Sequence, residues 1–445
     1  MEADMKRNIL QELVKWKDSS RRKPLIMTGV RQCGKTYVLK EFGSLYFENV
    51  CYVNFESNSQ YFSIFEYDFD ILRILKEIKM LTNVEITPGK TLLIFDEIQE
   101  CPKAITSLKY FCENMRELHV VSAGSLLGVA LKQENISFPV GKVNRMQMYP
   151  MSFSEFLQAV GEEKYLEMFR DYPADREIAE LYTKLMKDLL KSYYVVGGMP
   201  EVVKEYAESH NFQIVADIQD EILSDYADDF SKHAPVSEIE KIRMIWDSVP
   251  KQLAKENNKF VFSHVKEGKR GHELEAALQW LKNAGLVQML ELVQNASIPL
   301  SVNADATYFK VYMSDVGLLC RRLGLSYKNL MEETDSLKTF KGAITENYVL
   351  NELIVQKKHP YFWKSGNTAE LDFLFEENGV IHPVEVKAAT NTQAKSYKQF
   401  CKKYTPGTGY KLSMKNIALN YVDGTCTMSL PLYLVWNMDF YNDFA

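Results

Sequence analysis

Pro24-Leu25-Ile26-Met27-Thr28 is a short apolar run that leads into Gly29-Val30-Arg31-Gln32-Cys33-Gly34-Lys35-Thr36, and Tyr37-Val-Leu-Lys-Glu-Phe42 follows with a helical pattern. Buried strand, glycine loop and helix stand in the order that a phosphate-binding loop needs. The glycines let backbone N–H groups curl around phosphate oxygens. The lysine offsets charge at the β and γ phosphates, and the hydroxyl holds Mg²⁺. The whole stretch Gly29, Val30, Arg31, Gln32, Cys33, Gly34, Lys35 and Thr36 is therefore the candidate nucleotide cradle.

A second motif lies some sixty residues on. Thr91-Leu-Leu-Ile-Phe95 is another buried-strand run, and it ends in Asp96-Glu97, two carboxylates at the tip of a core strand. In P-loop ATPases the first acid holds Mg²⁺ through water and the second polarises the attacking water, roles that suit Asp96 and Glu97. The next strand, His119-Val-Val-Ser-Ala-Gly124, delivers Ser125 to the place of a polar γ-phosphate sensor. Lys142 and Arg145 are the candidates for a charge that faces a neighbouring nucleotide, and surface charge is the alternative for both.

At 445 residues the chain exceeds one hydrophobic core, so several domains are expected. Its charge of −6 gives no sign of a protein that coats nucleic acid, but leaves room for a local basic groove. No apolar run is long enough to span a bilayer, and Met1 to Trp16 does not read as a signal peptide. Seven scattered cysteines without Cys-x-x-Cys pairing fit a reducing interior, so a cytoplasmic location without membrane contact is expected.

Downstream, Ser263-His-Val-Lys266 and His272 to Lys282 read as two helices, Gly285 as a stop, and Leu286 to Leu292 as a strand. That order is a winged helix, in which Lys266, Lys269 and Arg270 would meet DNA phosphates unless the unit serves packing alone. Beyond residue 340, Glu346 lies on a helical stretch, and Glu370-Leu-Asp372-Phe is a strand whose period of two puts both acids on one face. Val384-Glu385-Val386-Lys387 follows with Glu385 and Lys387 sharing a face. Carboxylates from Glu346, Asp372 and Glu385 would hold Mg²⁺, and Lys387 would orient water for phosphodiester cleavage. Trp363 would stack on a base or pack the domain.

Taken in order, Arg22-Lys-Pro-Leu-Ile26, the loop at 29–36, Asp96-Glu-Ile-Gln99, Ala123-Gly-Ser-Leu-Leu127, Pro150-Met-Ser-Phe-Ser-Glu-Phe156 and Gly197-Gly-Met-Pro200 run along nearly the whole chain. With the C-terminal acidic motifs, they resemble the prokaryotic AAA-family ATP-binding proteins with a C-terminal domain of unknown function. The resemblance implies ATP as ligand and an extra strand between the P-loop strand and the acidic strand, placed at Val53 to Glu56 or its neighbour. Many members carry arginine after the glycine at the position of Gly141, where this chain has Lys142. The spacing of Asp372, Glu385 and Lys387 is similar to the PD-(D/E)XK nucleases.

The expected architecture is α/β. It comprises an AAA-type P-loop ATPase domain (1–160), a helical lid with a winged helix (161–335) and a restriction-endonuclease-like domain (336–445). Gly197-Gly198 would serve as a hinge. The expected function is ATP hydrolysis with Mg²⁺, coupled to a nuclease-like domain that acts on or binds nucleic acid. The alternative is an ATP switch whose inactive nuclease-like domain only binds DNA or a protein partner. The oligomeric state stays open.

Overall fold

The computed structural model describes residues 5–130, 137–255, 259–265, 271–332, 337–366, 369–388 and 394–442. Lys266, Lys269 and Arg270 lie outside the described residues. By chain contacts the protein divides into two compact units. One comprises Arg7–Tyr149 with Asn283–Gly285, and the other comprises Met1–Lys6, Pro150–Lys282 and Leu286–Ala445.

The first unit is built on a five-stranded parallel sheet of β1 (Leu25–Gly29), β2 (Asn49–Asn54), β3 (Thr91–Asp96), β4 (His119–Ala123) and β5 (Asn144–Met148), in the order β2-β3-β4-β1-β5. A parallel sheet is covered on both faces, so its central strands are apolar throughout rather than alternating. Every residue of β3 and β4 is buried. Ile26, Val53, Leu93, Phe95 and Val120 pack with Ile71, Ile74 and Ile78 of the helix Ile71–Thr82 and with Ala104, Ile105 and Leu108 of the helix Pro102–Asn114. Each large side chain so buried contributes about 1.5–3 kcal/mol. The strand inserted between β1 and β3 is β4, whereas β2, which contains Val53 and Asn54, lies at the sheet edge beyond β3. The expected inserted strand at 53–56 is corrected accordingly. Strand character alone carries no information on lateral order.

The second unit is helical from the helix Phe153–Ala159 to the helix Gly271–Asn283, then passes into a mixed eight-stranded sheet. Its strands are β6 (Val287–Val293), β7 (Ala304–Met313), β8 (Tyr361–Ser365), β9 (Ala369–Glu377), β10 (Val380–Val386), β11 (Thr408–Ser413), β12 (Ala418–Val422) and β13 (Thr425–Pro431). They run in the order β12-β13-β11-β10-β9-β8-β6-β7, so one sheet takes strands from both sides of residue 335. The antiparallel β6–β7 pair is joined to the rest through parallel pairing of Leu292 and Val293 with Phe362 and Trp363. Trp363 is fully buried against Phe400 and Tyr404, so it packs the domain and is shielded from any base.

Gly197-Gly198 is a close crossing of backbones rather than a hinge. A Cβ on Gly198 would collide with the backbone of Met151, and one on Gly197 would collide with the Asp315 carboxylate. The crossing is tied by the Met151 N–H to the Gly198 carbonyl (2.6 Å), the Gly198 N–H to Asp315 Oδ2 (2.7 Å) and the Tyr193 hydroxyl to the Met151 carbonyl (2.6 Å). Burial pushes Asp315 up to about 6 against the pull of its backbone donors. Nearby, Glu352 of the helix Lys338–Val355 accepts the Phe153 N–H (2.7 Å) in full burial, which pushes its carboxyl up to about 8.

Glu352 therefore keeps its proton in the folded chain far above the ordinary value of 4.5 at which the unfolded chain releases it. Between those limits the folded state binds more protons, so its stability falls as pH rises through that window. Glu352→Gln keeps an acceptor for the Phe153 N–H but no ionisable proton. Denaturant titrations at pH 5 and pH 9 should show a smaller loss of stability for the variant than for the natural chain. Equal losses would show that Glu352 does not set the slope.

Candidate functional site

In the first unit the parallel sheet points the C-terminal ends of β1, β3 and β4 the same way, so the loops that follow them converge. Gly34 takes a left-handed conformation (φ 92°), which glycine adopts freely, and it starts the helix Lys35–Tyr46 with its N–H groups toward the loop. Lys35 is buried, and its Nζ donates to the carbonyls of Gly29 (2.9 Å) and Val30 (2.8 Å). An ammonium has three donors, and the third meets only the Cys33 Sγ at 4.0 Å, a weak partner that phosphate oxygens can displace.

Thr36 Oγ1 donates to Asp96 Oδ2 at 2.8 Å, which joins the two motifs at one point. The same oxygen accepts the Tyr52 hydroxyl at 2.7 Å. Burial, offset by Asn54 and reinforced by Asp96, pushes Tyr52 up to about 12, so it stays a donor at any physiological pH. Lys40 Nζ lies 3.8 Å from the centre of the Tyr52 ring. The residue types and their separation fit Mg²⁺: a hydroxyl and a carboxylate within hydrogen-bond distance of each other are hard oxygen donors of the kind this ion takes.

Glu97 stands in the left-handed region (φ 48°), a strain of about 1–2 kcal/mol for a residue with a side chain. Its Oε2 accepts the Gln99 amide at 2.6 Å and the Ser125 hydroxyl at 3.4 Å. Gln99 leaves no room for a side chain at residue 124, since a Cβ there would overlap its Oε1. Lys142 pairs with Glu113 (2.8 Å), and the Arg145 guanidinium lies 4.5 Å over the Phe138 ring.

Three further residues of this site carry no motif signal of their own. Arg7 is buried, and it donates to the carbonyls of Cys33 (2.8 Å) and Tyr149 (2.7 Å), bracing the loop. Tyr52 was legible only as the residue alternating with buried Cys51 and Val53. Gln99 lies in the stretch Asp96-Glu-Ile-Gln99, where nothing local gives it a role.

The second unit brings Glu346, Glu370, Asp372, Glu385 and Lys387 together at the junction of β9, β10 and the helix Lys338–Val355. Asp372 Oδ2 accepts the Val386 N–H (2.7 Å), and Lys387 Nζ pairs with Glu385 Oε1 (2.6 Å). Burial and the neighbouring Asp372 push Glu385 up to about 8, and its Oε2 is buried without a hydrogen-bond partner.

Two cations and a phenol that the sequence did not flag stand among these acids. Lys310 Nζ is 2.7 Å from Glu370 Oε1 and 3.9 Å from Glu346 Oε2. Lys364 Nζ is 3.2 Å from Glu370 Oε2, and the Tyr312 hydroxyl donates to Glu346 Oε2 at 3.1 Å. Burial opposes ionisation of Glu370, but Lys310 and Lys364 outweigh it and hold the carboxyl below its usual range. The signal available was Tyr308-Phe-Lys310-Val-Tyr312, a lysine inside an apolar strand pattern. Among the described residues, no three His, Cys, Asp or Glu side chains are grouped to hold a metal ion. Of the expected ligand set Glu346, Asp372 and Glu385, Glu346 is engaged by Tyr312 and Lys310.

Tyr52→Phe deletes one of the two hydroxyl donors on Asp96 and the acceptor of the Asn54 amide. A hydrogen bond to a charged group is worth about 1.5–3 kcal/mol, so the Mg²⁺ concentration for half-maximal ATP turnover should rise by about one to two orders of magnitude. An unchanged Mg²⁺ dependence would remove Tyr52 from the site.

Residues 21–157 match the model of an AAA domain. Residues 187–329 match a domain of unknown function (DUF8612), and 341–433 another (DUF4143). A comparison with curated proteins gives no match. Among solved structures, the chain is similar to a Walker-type ATPase of Pyrococcus abyssi at 13% identity and a TM-score of 0.44, with 72% of this chain and 96% of that one covered. It is also similar to the Aeropyrum pernix ORC1 protein, solved in complex with DNA, at 13% identity and a TM-score of 0.28 over 72% and 91% of the two chains. For the Thermotoga maritima RuvB Holliday junction branch migration motor the values are 12%, 0.31, 66% and 89%. No helix among the described residues is long and apolar enough to cross a membrane. The protein carries an AAA-family P-loop ATPase domain followed by two domains of unknown function.

Proposed function

We propose that the protein hydrolyses ATP with Mg²⁺ at the loop 29–36 and that its nucleotide state controls a nuclease-like C-terminal domain that acts on or binds nucleic acid. The observation that carries the ATPase reading is the 2.8 Å contact of Thr36 with Asp96, which closes two motifs sixty positions apart on one metal-sized locus. Bound Mg²⁺ would supply positive charge against the negative charge that develops on the phosphates.

Thr36 and Asp96 would hold the ion. The Lys35 donor that meets Cys33 Sγ and the N–H groups from Val30 to Gly34 would bind the phosphates. Glu97 would orient and deprotonate the attacking water once the phosphates arrive, with Gln99 and Ser125 fixing its carboxylate. In the C-terminal domain, Asp372, Glu385 and Lys387 would carry the nuclease-like chemistry, with Glu346 as the helix carboxylate.

A second reading is favoured by a specific observation. The buried ion pair between Lys310 and Glu370 lies within the acidic centre, as expected of a domain that keeps the nuclease-like fold to bind DNA or a protein partner without cutting.

ATP turnover by the natural chain should fall by about 10²–10⁴-fold in Glu97→Gln, the usual loss of a general base. Lys35→Ala should lose nucleotide binding as well as turnover. Turnover that survives both changes would end the ATPase reading. Nicking of plasmid DNA with Mn²⁺ that disappears in Asp372→Ala would support cleavage, whereas DNA binding without nicking would support the second reading. Hydrogen-exchange patterns in the C-terminal domain that are identical with and without ATP would argue against control by nucleotide.

A further inference from the structure

The edge strand β7 contributes a cation to the acidic centre of the second unit. β7 pairs with β6 in the register Leu290 to Lys310 and Gln288 to Tyr312, so Lys310 and Tyr312 share one face of the sheet. Glu370 and Asp372 likewise share a face of β9, and Glu346 approaches from the helix Lys338–Val355. Lys310 is 1% exposed as a residue, and its Nζ reaches Glu370 Oε1 at 2.7 Å and Glu346 Oε2 at 3.9 Å.

A buried ammonium is stable only where carboxylates surround it. Lys310 is outside the Asp372, Glu385 and Lys387 pattern, so a nuclease-like site has no chemical use for it as a water-activating lysine. A divalent ion at the same acids would stand beside a fixed positive charge. Glu346, the carboxylate such an ion would need from the helix, is already engaged by Lys310 and by the Tyr312 hydroxyl at 3.1 Å. A separate observation marks the centre as able to take a ligand: Glu385 Oε2 is buried, has no hydrogen-bond partner and belongs to a residue only 4% exposed.

We propose that Lys310 is a resident cation that fills the charge position of a divalent metal in the acidic centre, which closes the centre to metal in the natural chain and leaves a latent metal site behind it. This rests on the nuclease-like reading of the centre and deepens its second form. With Lys310 in place, the lysines 310, 364 and 387 match the carboxylates 346, 370 and 372 while Glu385 holds its proton. Without it one negative charge is left uncompensated, Glu346 is released from one of its partners, and Glu385 Oε2 gains an ion to ligate.

The test is Mn²⁺ binding by the full-length, nucleotide-free protein, read from the electron paramagnetic resonance of free Mn²⁺. Four chains are compared: natural, Asp372→Asn, Lys310→Met and the Lys310→Met/Asp372→Asn double variant. The natural chain and Asp372→Asn should retain the same Mn²⁺. Lys310→Met should bind one further ion per chain, about tenfold or more tighter than any weak sites of the natural chain, and the double variant should lose it. Lys310→Arg, which keeps the positive charge, should behave as the natural chain.

Mn²⁺ bound by the natural chain and lost in Asp372→Asn would overturn the role of Lys310 while leaving the nuclease-like centre standing. A folded Lys310→Met that gains no ion would overturn the latent site and the metal reading of the centre together. Should Lys310→Met not fold, the comparison of the natural chain with Asp372→Asn still decides whether the centre is closed.

Discussion

Parallel pairing of β1 with β4, and of β4 with β3, is the constraint on which the nucleotide site depends. It sets the C-terminal tips of the two motif strands one strand apart, so that Thr36, at the start of a helix, meets Asp96, at the end of a strand, without either side chain having to search. Everything else at the site refines that meeting. Arg7 braces the loop through the Cys33 carbonyl, Tyr52 donates to the same Asp96 oxygen as Thr36, and Gln99 holds the carboxylate of Glu97, whose backbone is strained. Such strain persists only where the surroundings over-determine it, and here the surroundings are the fully buried strands β3 and β4.

The second unit is organised by a different problem, that of buried charge. Asp315 settles it with backbone N–H donors and Glu352 with a single donor and a retained proton. The acidic centre settles it with lysines, two of which, Lys310 and Lys364, come from outside the motif that made the centre recognisable. Burying a charge is tolerable only when it is paired, so the position of each lysine is dictated by a carboxylate rather than by solvent.

The nucleotide site was legible because its chemistry is local. Strand, loop, glycine, lysine and hydroxyl are consecutive, and the acidic pair announces itself at the end of an apolar run. Tyr52 was not legible, since its role depends on β2 lying beside β3, and lateral order is a property of the sheet and not of any window of sequence. For the same reason β4 rather than the stretch 53–56 separates β1 from β3. Gly197-Gly198 illustrates the opposite error. Paired glycines suggest freedom, yet these are small so that Met151 and Asp315 can press against the backbone. In the C-terminal region the period of two put Glu370 with Asp372 and Glu385 with Lys387, and the fold keeps those pairs in one centre. Lys310 escaped because it lies about sixty residues before Glu370, on a hairpin that joins the sheet only through two residues of β8.

Sixty residues also separate Thr36 from Asp96, and the comparison clarifies what sequence can and cannot carry. There both partners stand in motifs that chemistry demands of any phosphate site, so each could be read without the other. Lys310 stands in no motif, and only its neighbours give it meaning. A lysine flanked by Phe309 and Val311 in a strand is costly to bury alone, so it has to find carboxylates somewhere in the fold. In this unit those carboxylates are Glu370 and Glu346. The same electrostatic requirement that keeps the strand stable thus ties β7 to the acidic centre.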